Sequence, residues 1–238
     1  MKENNRNDNQ KYEETPLQGV RKAIATAMVN SKSPIPHFYL TIETDMDNII
    51  FIRKKLNNSQ NDIKISYNDI IIKIVANCLK KFPYMRTHLI DGTLRTYNFI
   101  NIGFAVSTDF GLLVPVIKDC DKKNIFQIAK ETKEFVEKSR NKKLRIHERE
   151  GAVFTISNLG MYEIENFSAI INPPQSSILS VGTITKKPVV INDKIEIKHR
   201  MKLTLSCDHR VIDGAQGATF LMDLKRNIEN PAEVIKIN

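Results

Sequence analysis

The residues best placed for chemistry lie in the run Asp208-His209-Arg210-Val211-Ile212-Asp213-Gly214. A strand-like stretch, Lys202-Leu203-Thr204-Leu205-Ser206-Cys207, delivers His209 at its end, and Asp213-Gly214 opens a final amphipathic segment. A histidine at a strand end can protrude into a cleft as a general base, because an imidazole has a reference pKa of about 6.5. Asp213 follows closely enough to brace the turn. The same His-x-x-x-Asp spacing fits a structural cap equally well, and the pair alone does not separate the two. The other histidines, His37, His88, His147 and His199, show no metal-ligand spacing with His209, so no metal is expected. Asp109-Phe110-Gly111 spells a kinase metal-binding tripeptide, but no Gly-rich phosphate loop or His-Arg-Asp loop accompanies it, which sets phosphoryl transfer aside. Cys78, Cys120 and Cys207 are odd in number and lack Cys-x-x-Cys spacing. That argues against a disulfide framework or a cysteine zinc site and suits a reducing compartment.

These residues need a scaffold, and the apolar periodicity supplies one. Thr15-Pro16-Leu17-Gln18 reads as a capped helix start, and Leu17, Val20, Ile24, Ala27 and Met28 form a stripe, so a helix is expected over 16–31. Pro34 and Pro36 end it, and alternation from His37 to Thr44 gives a strand. Asp45 and Ser66 are expected to cap a second and a third helix. Further strands are expected at 94–99, 101–107, 112–117, 152–156, 177–185, 189–191, 195–197 and 201–207, with a helix at 124–138 among them and a last one at 215–229. Asn192-Asp193 reads as a hairpin turn. Helices and hairpins mixed in this order, without strict βαβ alternation, imply an α+β fold with a large mixed β-sheet and packed helices. Residues 1–14 are polar and read as a disordered tail or linker, leaving one domain at 15–238.

The chain has 238 residues, a formal net charge of +9 and 41% apolar residues, enough for a sizeable core. Its longer apolar runs, such as 68–76, include Asp69 and Lys73 and fall short of the roughly 18 residues of a membrane span, so no membrane partner is expected. The first 14 residues lack an apolar h-region and hold four acidic residues, unlike a secretory signal or an intact transit peptide. The surplus charge raises the question of nucleic acid. More than half of it sits at 118–149, where eleven Lys/Arg face six Asp/Glu around an apolar stripe of Ile125, Ile128, Ala129, Thr132, Phe135 and Val136. A mixed-sign face without interleaved aromatics is a solvated helix surface, and no nucleic-acid partner is expected.

The string from Ser206 to Ala215 resembles the active-site signature of the dihydrolipoamide acyltransferases, the core subunits of 2-oxoacid dehydrogenase complexes. Pro16-Leu17, Arg21-Lys22, Ile24-Ala25, Met28, Ser31 and Ile35-Pro36-His37-Phe38 resemble the opening of that catalytic domain. Asn101-Ile102-Gly103, Ala105-Val106, Thr108, Gly111-Leu112 and Val114-Pro115-Val116-Ile117 resemble its central hairpin. The runs from Phe154 to Tyr162 and from Asn166 to Gln175 are similar to the version found in pyruvate dehydrogenase complexes. The likeness spans about residues 15–231.

The resemblance implies a chloramphenicol acetyltransferase-like fold and acetyl transfer between the thiol of dihydrolipoamide and that of coenzyme A. A free thiol, with a pKa of about 8.5, is mostly protonated at neutral pH, so a base is needed. By resemblance His209 is that base, Ser157 donates a hydrogen bond to the tetrahedral oxyanion, and Asp213 holds the turn through a buried pair with Arg21 or Arg210. On its own, Ser157 reads as a turn hydroxyl at a strand end. Coenzyme A or acetyl-coenzyme A enters as substrate, and the lipoyl group is presented by a separate domain. The family assembles as homotrimers that build larger cores, with the histidine of one subunit facing the serine of its neighbour. Pyruvate dehydrogenase and dihydrolipoamide dehydrogenase are indirect partners. The implied location is a bacterial cytoplasm or a mitochondrial matrix.

Other outcomes share this pattern. A non-catalytic scaffold subunit would keep the fold, whereas a branched-chain or other acyl-specific enzyme, or a free-standing acyltransferase acting on a small hydroxyl or amine, would keep the histidine logic. Three departures from the family pattern stand out: Met85-Arg86-Thr87 after Phe82-Pro83, Glu163 where a glycine is common, and a weakly apolar C-terminus, Val234 to Asn238.

Overall fold

The computed structural model describes residues 12–58 and 63–235; most of the expected tail, residues 1–11, and the end of the C-terminus, 236–238, lie outside the described residues. A six-stranded mixed sheet organises the chain. It contains β1 (His37–Asp45), β4 (Ile102–Phe104), β7 (Val116–Ile117), β8 (Phe154–Asn158), β9 (Ser177–Ile191) and β10 (Lys194–Asp208), in the order β1-β10-β9-β8-β4-β7. β8 runs parallel to both β9 and β4, and the other pairs are antiparallel. The expected α+β architecture with a large mixed sheet is what the chain adopts.

Side-chain alternation divides the sheet into two faces. Leu203, Leu205 and Cys207 of β10 pair with Ile42, Leu40 and Phe38 of β1 and join the apolar core under the helices. Those helices are α2 (Asp47–Asn58), α3 (Tyr67–Lys81), α4 (Ile125–Arg140) and α5 (Gly214–Glu229). Gly217 lets α5 lie flush on the sheet: a Cβ there would come within 2.8 Å of Leu40 Cδ1. The opposite face carries small hydroxyls, including Ser180, Thr204 and Ser206, crossed by the segment 163–176. Ser206 Oγ donates to the Ala169 carbonyl at 2.7 Å, and Ser180 Oγ accepts from the Ala169 amide at 3.1 Å. That segment lies so close that a Cβ on Gly182 would fall 2.1 Å from the Glu165 carbonyl oxygen.

Capping explains the starts of three of these helices. Ser66 with Asp69, Asn124 with Gln127 and Asp213 with Gln216 each close a reciprocal capping box at the start of α3, α4 and α5. Asp45 accepts from the Asp47 amide at 2.9 Å, one residue outside the cap of α2. The basic stretch behaves as expected: α4 buries Ile128, Ala129 and Thr132, and Lys123 and Lys138 pair with Glu131 and Glu134.

Several boundaries differ from the sequence expectation. The first helix, α1, spans Gly19–Lys32 and not 16–31. Gln18 is extended and Leu17 is exposed, so Thr15 has no apolar staple to close a cap against. The strand expected at 101–107 splits at Ala105 into β4 and β5 (Val106–Thr108), and the one at 112–117 splits before Val116 into β6 (Gly111–Leu113) and β7. Asp109-Phe110 is thus the turn of the β5–β6 hairpin, and Gly111 opens β6 opposite Thr108. The four short strands at 177–207 fuse into β9 and β10, joined at Asn192-Asp193, both of which have positive φ. Pro188 is tolerated because β8 pairs β9 only as far as Val181, so the outer edge there has no ladder for it to break. A short hairpin of β2 (Thr87–Ile90) and β3 (Thr93–Thr96) replaces the strand expected at 94–99. Glu163 has φ +61, a left-handed conformation that a glycine would adopt without strain. Met85, Arg86 and Thr87 lie outside the lining of the cavity described below.

Candidate active site

The turn between β10 and α5 presents His209. Asp208, the last strand residue, is only 2% exposed and its amide donates to the Ser176 carbonyl at 2.8 Å. Its carboxylate accepts from Arg210 Nε at 2.9 Å, Arg210 Nη2 at 2.8 Å and the Arg210 amide at 3.0 Å. Its carbonyl accepts from the amides of Val211 and Ile212, both at 3.0 Å. Hydrogen bonding to Asp208 raises the Arg210 guanidinium above its ordinary value, despite some desolvation. His209 itself is exposed. Its amide donates to the Pro36 carbonyl at 3.1 Å, and its ring lies against Phe38, with centroids 4.6 Å apart and planes tilted by 51°. The imidazole nitrogens have no hydrogen-bond partner among the described residues, which leaves them available to a substrate.

Asp213 does not form the expected buried pair with an arginine. It is exposed, its side chain accepts from the Gln216 amide at 2.8 Å, and its own amide donates to Gln216 Oε1 at 2.9 Å. Its role is the helix cap, the alternative the spacing allowed. Arg210 is taken by Asp208, a more buried carboxylate two residues away, and Arg21 sits beside the β5–β6 turn in a separate cavity with Phe110 and Gly111. Neighbouring Cys207 is fully buried, and burial together with the Asp208 charge pushes its thiol up to about 12, so it is protonated and no nucleophile at neutral pH.

Ser157 stands elsewhere. It lies near the C-terminal end of β8, half-buried, and lines a cavity of about 1000 Å³ bounded by β5, α3, α4 and the turn 159–162. That turn is fixed by Asn158, whose Oδ1 accepts from the Gly160 amide at 2.8 Å, and by the Leu159 amide, which donates to the Val181 carbonyl at 3.1 Å. Lys133 and Arg140 of α4 reach the same cavity. Asp69, also on its lining, is already engaged by the Ser66 amide at 2.7 Å and Thr132 Oγ1 at 2.6 Å.

The sheet register measures how far apart the two candidate side chains are. Ser157 pairs with Ser180, and Ser180 with Thr204, so His209 is two strands across and five residues along. At about 4.8 Å per strand and 3.4 Å per residue the separation is about 20 Å. One chain therefore does not bring His209 and Ser157 together, and Asp213 stays with His209.

The remaining histidines serve other contacts. His37 Nδ1 donates to the Ile35 carbonyl at 2.9 Å and its Nε2 accepts from the Ile171 amide at 3.2 Å, while His199 meets Asp47 at 2.7 Å. Among the described residues no group of three His, Cys, Asp or Glu could hold a metal ion. Phe38 and Asp208 were missed as site residues by sequence reasoning, which offered Arg210 to Asp213 instead, although Asp208 and Arg210 flank His209 directly in the motif.

Residues 9–236 match the family model for the 2-oxoacid dehydrogenases acyltransferase (catalytic domain). The dihydrolipoyllysine-residue acetyltransferase component of pyruvate dehydrogenase complex from Rickettsia bellii is 46% identical over 226 residues, covering 94% of this chain and 54% of that protein. The chain spans about half the length of the curated relatives it matches. A structure of Azotobacter vinelandii dihydrolipoamide acetyltransferase, concerned with the role of a serine, a histidine and an asparagine in its catalytic mechanism, superposes with a TM-score of 0.92 at 30% identity, covering 99% of this chain and 98% of that one. The cubic core of the pyruvate dehydrogenase multienzyme complex gives a TM-score of 0.92 at 31% identity, with the same coverage of 99% and 98%. A chloramphenicol acetyltransferase shares the fold, with a TM-score of 0.55 at 13% identity over 82% of this chain and 88% of that one.

Proposed function

Since the chain belongs to the acyltransferases of the 2-oxoacid dehydrogenases, as their catalytic domain, we propose that it moves an acetyl group between the thiols of dihydrolipoamide and coenzyme A. Both are substrates: coenzyme A or acetyl-coenzyme A enters free, and the lipoyl group arrives on a separate domain. His209 takes the proton from the coenzyme A thiol as its sulfur attacks the thioester carbonyl carbon of acetyl-dihydrolipoamide. Ser157 Oγ donates a hydrogen bond to the oxyanion of the tetrahedral intermediate. When the carbon–sulfur bond to dihydrolipoamide breaks, the imidazolium returns its proton to the departing thiolate, so the enzyme ends unchanged. Asp213 caps α5 and thereby holds the far side of the turn.

One observation carries the reading: His209 is exposed, with unengaged ring nitrogens, at the end of a rigid turn. Spacing supports the same roles. In the Azotobacter vinelandii protein the serine, histidine and asparagine lie 52 and 4 residues apart, the intervals that separate Ser157, His209 and Asp213 here. Because His209 and Ser157 lie about 20 Å apart on one sheet, the working centre joins His209 of one copy to Ser157 of the partner subunit. A homotrimer building a larger core meets that need, in line with the likeness to the cubic core. We place the domain at residues 15–238, most of which the family match at 9–236 covers. Pyruvate dehydrogenase and dihydrolipoamide dehydrogenase act with it through the lipoyl domain. The cytoplasm of a bacterium is the location favoured by the Rickettsia relatives, and the mitochondrial one by that of Dictyostelium discoideum.

The test is acetyl transfer from acetyl-coenzyme A to free dihydrolipoamide by the wild-type chain and by His209→Ala. The expected result is transfer by the wild type and a loss of about 10²–10⁴-fold in the variant. No transfer by folded, oligomeric wild type would refute the activity, and an equally active variant would refute the role of His209.

A further inference from the structure

The turn carrying His209 is more heavily constrained than a surface loop has reason to be. Asp208 precedes the histidine and Arg210 follows it, and their side chains meet in a bidentate pair that links the residues on either side of it. The carboxylate is 2% exposed, and its two oxygens receive Arg210 Nε, Nη2 and the Arg210 amide. Only the carboxylate is buried, the Arg210 side chain being 42% exposed, and a pair open to solvent on one side contributes little net stability, so stability is a weak reason for this one. Its geometric effect is specific. It fixes the residues on both sides of His209, while the His209 amide is tied to Pro36. The imidazole ring needs its own support, because the terminal torsion of a histidine is broad and no hydrogen bond to a described residue restrains it. Phe38 provides that support. It is held in the core by its place opposite Cys207 on β1, and its ring meets the imidazole at 4.6 Å.

We infer that Asp208, Arg210 and Phe38 are positioning residues for acetyl transfer, the ion pair fixing the backbone of His209 and the phenyl ring fixing the plane of its imidazole. The inference rests on the proposed role of His209 as the base. A proton acceptor displaced by about 1 Å loses on the order of 10²-fold in rate, which sets the scale of the effect.

The test compares Asp208→Asn, Arg210→Lys and Phe38→Leu with wild type in acetyl transfer from acetyl-coenzyme A to dihydrolipoamide, each alone and combined with His209→Ala. Expected are a fall of about 10–100-fold in kcat for Asp208→Asn and Phe38→Leu, with KM for acetyl-coenzyme A within about threefold of wild type. Arg210→Lys, which keeps the charge but not the fork, falls between them and wild type. In the His209→Ala background the substitutions add no further loss, because what they position is gone. Wild-type kcat in folded Asp208→Asn and Phe38→Leu overturns the inference, as does an equal further loss on top of His209→Ala, the mark of a merely structural role. Should the buried Asp208→Asn change prevent assembly, Arg210→Lys, altered from the exposed side of the pair, decides for the ion pair and Phe38→Leu for the ring, by the same outcomes. A fully active His209→Ala enzyme would instead overturn the proposed function, a signature distinct from both.

Discussion

Replacing Ser157 by alanine separates catalysis from stability. Ser157 Oγ lines the large cavity and has no hydrogen-bond partner among the described residues, so its removal leaves no polar group of the protein stranded. The fold is expected to lose less than about 0.5 kcal/mol, a shift in Tm of about 1–2 °C for a chain of this size. Under the proposed mechanism, in contrast, the oxyanion loses a donor. Such losses cost about 10²–10³ in kcat, or about 2.7–4 kcal/mol of transition-state stabilisation, with KM little changed. Ser180, opposite Ser157 in the β8–β9 ladder, is the control. It is 1% exposed and its Oγ accepts from the Ala169 amide at 3.1 Å, so Ser180→Ala leaves that amide without its acceptor. The cost is about 1–2 kcal/mol of stability with kcat of the folded enzyme unchanged. Steady-state acetyl transfer and thermal melts on both variants read the split. If Ser157→Ala keeps kcat within threefold while His209→Ala is inactive, Ser157 does not stabilise the oxyanion; if it loses activity only in step with stability, its role is structural.

Asp213→Asn should keep both activity and stability, since asparagine caps helices as well as aspartate, whereas Asp213→Ala should cost about 1 kcal/mol in urea unfolding through the lost cap of α5; a large loss of kcat in folded Asp213→Asn would show that its charge takes part in transfer. Burial holds the His88 imidazole below its ordinary value, against a weaker opposing hydrogen bond to the Val153 carbonyl, and its Nδ1 has no partner among the described residues. The unfolded chain therefore binds this proton more readily than the folded one, so the stability it contributes is complete above about pH 6.5 and declines as the pH falls below that value. Urea midpoints at pH 7.5 and 5.5 should differ less in His88→Gln than in wild type, and an unchanged difference would contradict the assignment.

Local signals were legible where chemistry and structure share a short stretch of chain. The caps Ser66 and Asp213 mark their helices because a side-chain oxygen and an amide three residues on satisfy each other without help from the rest of the fold. The same logic failed at Thr15, where the chain offers Leu17 nothing to pack against. Asp91-Gly92, whose positive φ values make the β2–β3 turn, was a readable hairpin signal that the strand expected at 94–99 overlooked. His209 and Ser157 were each readable from their motifs. Their separation was not, because it depends on which strands lie side by side, and register over 52 residues of chain is a long-range property. The partner of Arg210 was likewise hidden: two carboxylates flank it in sequence, and only burial decides that Asp208 takes it.

The most direct measurement mixes two inactive chains. His209→Ala and Ser157→Ala, coexpressed in equal amounts so that they assemble together, each retain the residue the other lacks. If every centre joins His209 of one copy to Ser157 of its neighbour, random assembly leaves about one quarter of the centres intact, and acetyl transfer should recover to about one quarter of the wild-type rate. Mixed assemblies no more active than the sum of the two variants alone would contradict a centre shared between copies.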